Sequence, residues 1–215
     1  YTCAEGACVG AVGELGQPCA SEMACGQALS CHVTDAESGA ASCVVETAAP
    51  GTAPKLVFSG LDSSVAGEIE AAFAKAGHVV VSNSRNYRMM DTVPLMIPEV
   101  NAEHLKLLEA QGSGQGWSGR IVTNPNCTST GLTIALKVLD NEFSVKKVFA
   151  TSLQALSGAG YPGVSSLDIM DNVLPNVGNG GEEEKVEWEP RKMLGKFNDG
   201  KIDMADIQFS VHTNR

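Results

Sequence analysis

Residues 119–132 read Gly119-Arg120-Ile121-Val122-Thr123-Asn124-Pro125-Asn126-Cys127-Thr128-Ser129-Thr130-Gly131-Leu132. A short apolar run ends in a tight Asn-Pro-Asn turn, and a helical stretch follows that carries Leu132, Leu136 and Leu139. A strand that turns within three residues into a helix is half of a βαβ unit. The same grammar repeats upstream. Leu56-Val57-Phe58-Ser59 reads as a short buried strand ending at Gly60. Asp62 or Ser63 caps a helix with Val65, Ile69, Phe73 and Ala76 on one stripe, closed by Gly77. His78 to Ser82 is the next strand, and Asn101 caps a second helix carrying Leu105 and Leu108. These spacings predict an α/β chain with a parallel sheet. Such sheets bind ligands at the carboxyl ends of their strands, here Ser59-Gly60, Asn83-Ser84 and Asn124 to Cys127.

Charge and composition bound the partners. The 215 residues carry 15 basic and 25 acidic side chains, a formal net charge of −10. An acidic chain without a Lys/Arg tract argues against nucleic acid or an anionic membrane surface as the main partner. No apolar run approaches the ~18–20 residues of a membrane span. The chain begins at Tyr1 with no charged and then apolar leader, so no signal peptide is expected.

Residues 1–50 have a different texture. They hold six of the seven cysteines (Cys3, Cys8, Cys19, Cys25, Cys31, Cys43) and no Lys, Arg, Ile, Phe or Trp. So few large apolar side chains cannot offset the chain entropy lost on folding. Three disulfides could do so, in any of 15 connectivities. A zinc site is disfavoured, because no Cys-x-x-Cys pair occurs and only His32 is near, so no metal is expected. Gly6, Gly10 and Gly13 imitate a dinucleotide-binding loop, but Pro18 and Cys19 stand where its helix should run, and we read them as turns. Thr47 to Pro54 is a small-residue, proline-bearing linker.

The seventh cysteine, Cys127, reads either as a buried structural cysteine or as a nucleophile, and its strand–turn–helix setting favours the nucleophile. Cys127 opens a helix, where the macrodipole and free backbone N–H groups favour a negative charge. The same N–H groups could hold an oxyanion.

Residues 56–215 resemble aspartate-semialdehyde dehydrogenase of the archaeal and fungal branch. The matching segments are Val57 to Ser63, Val81 to Met89, Ile97-Pro-Glu-Val-Asn101, Thr123-Asn-Pro-Asn-Cys127, Gln154 to Gly163 and Glu182 to Trp188. The resemblance implies NADPH-dependent reduction of aspartyl phosphate to aspartate semialdehyde through a cysteine thioester. Cys127 matches the nucleophile, with Asn126 and Gln154 beside it. Ser59, Gly60, Ser157, Gly158 and Gly160 match the NADP loops. Arg88 matches the phosphate-binding arginine, Glu189 and Lys192 a pair gripping substrate amine and phosphate, and Arg215 the carboxylate-binding arginine. Pro190 lies between Glu189 and Lys192, so the helix is expected to start or kink there. His212 reads as an exposed strand position.

The resemblance also sets the organisation. Residues 1–50 form the cysteine-rich segment, without a counterpart in the family. Residues 51–125 are the later part of a Rossmann-like NADP domain, and 126–215 begin the α+β catalytic domain. Strands at Lys147 to Leu153 and Asp206 to Thr213 belong to that domain's sheet, which forms the interface of a cytoplasmic homodimer or homotetramer. The family's general-base histidine is expected beyond Arg215, and its first strand and glycine loop before Leu56. The chain therefore reads as an incomplete enzyme with negligible turnover. Two other accounts stay open: a secreted cysteine-rich binding module fused to an inert α/β segment, and two sequences joined at the linker. A malonyl-CoA reductase of the same fold would share the cysteine chemistry.

Overall fold

The computed structural model describes residues 55–160, 163–178 and 181–215, together with the backbone of four short strands between residues 2 and 45. The chain falls into two compact units, Tyr1–Pro54 and Lys55–Arg215. In the first unit β1 (Thr2–Ala4), β2 (Ala7–Val9), β3 (Leu29–Val33) and β4 (Ala41–Val45) form an antiparallel sheet in the order β2-β1-β4-β3. Its register sets Cys3 opposite Cys8 and Cys31 opposite Cys43. The expectations on cysteine pairing, a zinc site, the Gly6, Gly10 and Gly13 turns and the linker lie outside the described residues.

The second unit opens with a parallel sheet of β5 (Leu56–Ser59), β6 (Val79–Ser82) and β7 (Arg120–Thr123), in that order. The register aligns Ser59, Ser82 and Thr123 at the carboxyl edge. Between β5 and β6 runs α1 (Ser63–Lys75), capped by Asp62, whose carboxylate accepts from the Ser64 N–H at 2.9 Å. That bond holds the Asp62 carboxyl below its ordinary value. The buried stripe of α1 is Ala66, Glu70, Phe73 and Ala74, rotated from the expected Val65, Ile69, Phe73 and Ala76. Glu70 causes the rotation: it is 1% exposed and accepts from the Ser59 and Ser82 hydroxyls, both at 2.6 Å. A carboxylate with two hydroxyl donors is tolerated where a bare one would not be.

Two other expectations are corrected here. β5 is an edge strand rather than a buried one, with Leu56 50% and Phe58 75% exposed. Asn101 caps no helix through its side chain. Pro98, preset for a first helical turn, starts α2 (Pro98–Asn101) earlier, a 3-10 turn covers Ala102–Lys106, and α3 runs over Leu107–Gly114. The Asn101 amide instead accepts from the Ile97 N–H at 2.9 Å and donates to the Leu95 carbonyl at 2.8 Å.

The outer edge of β7 is closed from within. The Gln111 side chain accepts from the Ile121 N–H at 2.7 Å and donates to the Ile121 carbonyl at 2.9 Å, as a neighbouring strand would. Farther along, the Thr123 N–H donates to the Pro94 carbonyl and the Met96 N–H to the Thr123 carbonyl.

After β7 comes α4 (Cys127–Phe143), then β8 (Lys147–Leu153), a 3-10 turn at Leu156–Ala159 and the single-turn α5 (Ser166–Ile169). Next is α6 (Gly181–Met193), which starts nine residues before Pro190 rather than at it and continues past it, with the Leu194 N–H bonded to the Pro190 carbonyl at 2.9 Å. β9 (Lys196–Asn198) and β10 (Lys201–Asp203) make a hairpin whose Asp199-Gly200 turn has φ 44° and 80°, the conformation two-residue hairpins require. β11 (Gln208–Asn214) pairs in parallel with β8 over its whole length. Leu136, Val148, Leu194 and Ile207 form the core between these elements, and burial stabilises each by about 1.5–3 kcal/mol. Among the described residues no helix is long and apolar enough to cross a membrane.

Candidate active site

Cys127 is the first residue of α4, with an exposed free thiol. Asn126 caps the helix: its side-chain oxygen accepts from the Thr128 N–H at 2.9 Å and the Ser129 N–H at 3.2 Å. Its carbonyl takes the Thr130 N–H. The expected oxyanion donors are thus mostly spent on the cap. What remains at the helix start is the N–H of Cys127 itself.

Cys127 opens on a cavity of about 600 Å³, lined also by Asn83, Arg88, Glu99, Asn124, Asn126 and Ile134. The carboxyl ends of β6 and β7 and the starts of α2 and α4 meet here, as the parallel sheet dictates. Arg88, 7% exposed, donates through Nη1 to Glu189 at 3.0 Å and through Nη2 to the Asn83 carbonyl at 2.7 Å. Its Nε is buried without a partner among the described residues. The guanidinium therefore keeps N–H groups for an anion, which its planar fork suits.

Glu189 and Lys192 do not line this cavity. Both are 2% exposed, and each has its polar atoms committed within the protein. Glu189 accepts Arg88 on one oxygen and the Asn126 N–H on the other, at 2.7 Å. Lys192 donates to the carbonyls of Arg88, Met90 and Val93 at 2.7, 2.8 and 2.8 Å, which uses all three of its hydrogens. Burial pushes its ammonium down to about 8, against the nearby Asp91 charge that holds it up. The pair spans the loop that presents Arg88 and fixes it from behind.

The other expected residues surround this centre. Gln154 donates to the Thr128 hydroxyl at 3.3 Å, beside the start of α4. Ser157 and Gly158 lie in the 3-10 turn, and Gly160 follows with φ 71°, a conformation that favours glycine. Arg215 has a side-chain nitrogen 3.5 Å from where a Cβ on Gly158 would lie. Its backbone exchanges two hydrogen bonds with Leu174, at 2.7 and 2.9 Å, so this residue is held in place. Ser59 gives its hydroxyl hydrogen to Glu70 and has only lone pairs left to offer. At Gly60 and Gly160 a Cβ would meet nothing within 4 Å, so both peptides are open to a ligand. Sequence reasoning missed Glu99, although it lies in the quoted Ile97-Pro-Glu-Val-Asn101 segment. It also missed Glu182, which accepts from the Asn126 amide at 2.8 Å. His104 is fully buried between Asn101 and the Gly195 carbonyl, and burial lowers its pKa. His212 is exposed on β11, as expected.

A parallel sheet with a free cysteine at a helix start and a buried arginine on the same cavity defines an α/β protein whose strand ends carry a thiol-lined site. The chain belongs to the semialdehyde dehydrogenase family: the family's NAD-binding domain matches residues 9–108 and its dimerisation domain residues 136–215. It is 56% identical over 160 residues to the aspartate-semialdehyde dehydrogenase of Archaeoglobus fulgidus, covering 74% of this chain and 46% of that protein. It is 47% identical over 164 residues to that of Schizosaccharomyces pombe, covering 74% and 45%. Among solved structures it is similar to aspartate semialdehyde dehydrogenase with NADP from Candida albicans. There the TM-score is 0.64 at 41% identity, over 75% of this chain and 46% of that one. The chain spans about half the length of the relatives it matches. The NAD-binding match begins at residue 9 and takes in Gly10 and Gly13. The strands described in that segment are antiparallel, and the relatives above align with 74% of the chain.

Proposed function

We propose that the chain is part of an NADP-dependent aspartate-semialdehyde dehydrogenase that reduces aspartyl phosphate to aspartate semialdehyde and phosphate. The observation that carries this is Cys127 at the start of α4, sharing a cavity with Arg88. Arg88 would hold the acyl phosphate, and the Cys127 thiolate would attack its carbonyl carbon. Phosphate would leave as the C–O bond breaks, giving a thioester on Sγ. The Cys127 N–H would face the developing oxyanion, and Gln154, bonded to Thr128 beside the start of α4, would orient the acyl group. Glu189 and Lys192 serve by holding Arg88 in place, and Arg215 would reach the substrate carboxylate from beside Gly158.

The unobstructed peptides at Gly60 and Gly160 suit a dinucleotide, held by Ser59, Gly60, Ser157, Gly158 and Gly160. When bound, it supplies the hydride that releases the thioester as an aldehyde. A homodimer or homotetramer in the cytoplasm fits the dimerisation-domain match and the face of β8, where Phe149 is 82% and Leu153 80% exposed. Mass spectrometry of the chain after incubation with aspartyl phosphate tests the reading. An aspartyl adduct on the Cys127 peptide, lost in Arg88→Met, is expected; acylation that ignores Arg88 would overturn it.

A further inference from the structure

Every polar group of Asn126 is held. Its backbone N–H donates to Glu189, and its backbone carbonyl accepts the N–H and the hydroxyl of Thr130. Its side-chain oxygen accepts from the Thr128 and Ser129 N–H groups. The remaining group, the amide nitrogen, donates to Glu182 Oε2 at 2.8 Å, and Glu182 Oε1 in turn accepts from Lys185 Nζ at 2.6 Å. An acidic residue in the first turn of a helix, paired with a lysine three positions on, is ordinarily a solvated surface feature. Here the two side chains are 16% and 25% exposed, and Glu182 reaches 56 residues back to the cap of α4.

The helix N–H groups need an oxygen and Glu182 needs a donor, so together they fix which way round the amide sits. Aspartate ordinarily caps a helix as well as asparagine does. At position 126 it would have no hydrogen for Glu182 and would set two carboxylates at hydrogen-bond distance. Glu182 thereby imposes a neutral cap beside Cys127, where a further negative charge would oppose formation of the thiolate. We propose that Glu182 is a positioning residue for Cys127: it locks the Asn126 amide, and with it the peptide whose N–H faces the substrate oxygen. The role of Cys127 as nucleophile rests on the proposed function; the effect of Glu182 on the thiol does not.

Position and charge predict opposite signs. Removing a nearby carboxylate and freeing Lys185 should by electrostatics alone make Cys127 more reactive. Loss of the lock should make it less so. Iodoacetamide is uncharged and reads the thiolate directly: the sulfur displaces iodide, a C–S bond forming as the C–I bond breaks. Rates are followed at the Cys127 peptide by mass spectrometry as a function of pH. Glu182→Gln removes the charge but keeps an oxygen for the Asn126 amide nitrogen, and its rate should equal or exceed that of the unaltered chain. Glu182→Leu removes both, and at neutral pH its rate should fall about threefold or more below that of Glu182→Gln, with the pH midpoint raised. A Glu182→Leu chain as reactive as Glu182→Gln would overturn the proposal. Glu184→Gln, which removes an exposed charge from the same turn, should change the rate less than about twofold.

A reciprocal exchange keeps the test decisive if Glu182→Leu disturbs the fold. Asn126→Asp should slow Cys127 about threefold or more where Glu182 is present, and by a smaller factor in the Glu182→Gln background, where an amide hydrogen can serve the new carboxylate. Equal slowing in both backgrounds would overturn the proposal. Aspartyl phosphate is then supplied to the unaltered chain. If Cys127 is not acylated, the proposed substrate is wrong, while the iodoacetamide comparison still decides the role of Glu182.

Discussion

Arg88 and Glu189 stand 101 residues apart in sequence and meet at 3.0 Å with 8% and 2% of their side chains exposed. Breaking such a pair leaves a buried charge unmatched, which typically costs about 3–5 kcal/mol. Glu189→Ala should therefore lose about that much in urea denaturation, with the Asn126 N–H orphaned as well. Arg88→Met combined with Glu189→Met should recover most of the loss, since no charge is then stranded.

Lys192 predicts an unusual pH response. Its pKa falls from 10.5 unfolded to about 8 folded, because burial penalises the ammonium. Between those values the unfolded chain binds more protons, so this group makes stability rise with pH from about 8 toward 10.5. Below about 8 the burial penalty is present in full. Urea unfolding at pH 7.5 and 9.5 should show this rise, and Lys192→Met should remove it. The fold around Arg88 should respond oppositely: a neutral amine has two hydrogens for three carbonyls, so the 88–93 loop loosens above pH 8. Trp117, which packs edge-on to Tyr87, should report this as a fluorescence change with a midpoint near 8.

His104 gives the acid counterpart. Burial lowers its pKa below the ordinary 6.5. The neutral ring donates from Nε2 to Gly195 and accepts from Asn101 on Nδ1, a tautomer inferred from those partners. Protons then bind the unfolded state preferentially below 6.5, so stability falls as the pH drops from 6.5 through the folded value. His104→Gln should be less stable at pH 7 and show a flatter acid limb in the same denaturation series.

Two glycines should behave in opposite ways. A Cβ on Gly119 would lie 2.0 Å from the His78 carbonyl and 2.7 Å from the Ala74 carbonyl, both backbone atoms that cannot step aside. Gly119→Ala should cost several kcal/mol or prevent folding, beyond the ~1–3 kcal/mol typical of an overpacked side chain. Gly131 lies inside α4 with nothing within 4 Å of its would-be Cβ. Gly131→Ala should stabilise by about 0.5–1 kcal/mol through helix propensity. Thermal melts of the two variants separate these outcomes.

What the sequence discloses follows the range of the forces involved. The turn at Asn124 to Asn126, the cap and the start of α4 at Cys127 are local, and β8 occupies the expected residues. Asn101 was misread because Pro98, three residues earlier, starts the helix first. The hydrogen bonds of Lys192 join residues 99 to 104 positions apart, and no spacing rule encodes them. The spacing of three from Glu189 to Lys192 puts the two charges on one helix face, but nothing in it says that the face points inward onto a loop. Glu99 carried no signal of its own, since only the fold sets this exposed glutamate on the wall of the cavity that Cys127 also lines.

The closure of β7 by Gln111 gives this sheet a polarity of growth. Edge-to-edge joining needs a row of unpaired backbone groups, and among the described residues of the parallel sheet the outer row of β7 is taken up by Gln111, Pro94 and Met96, while β5 has no strand on its outer side. Two chains that met through β5 would each present the Gln111-sealed margin outward, and no third could add. Strand exchange through this sheet would thus stop at a pair rather than run on into a filament, with the Gln111 amide and the Pro94 to Met96 segment as the terminator.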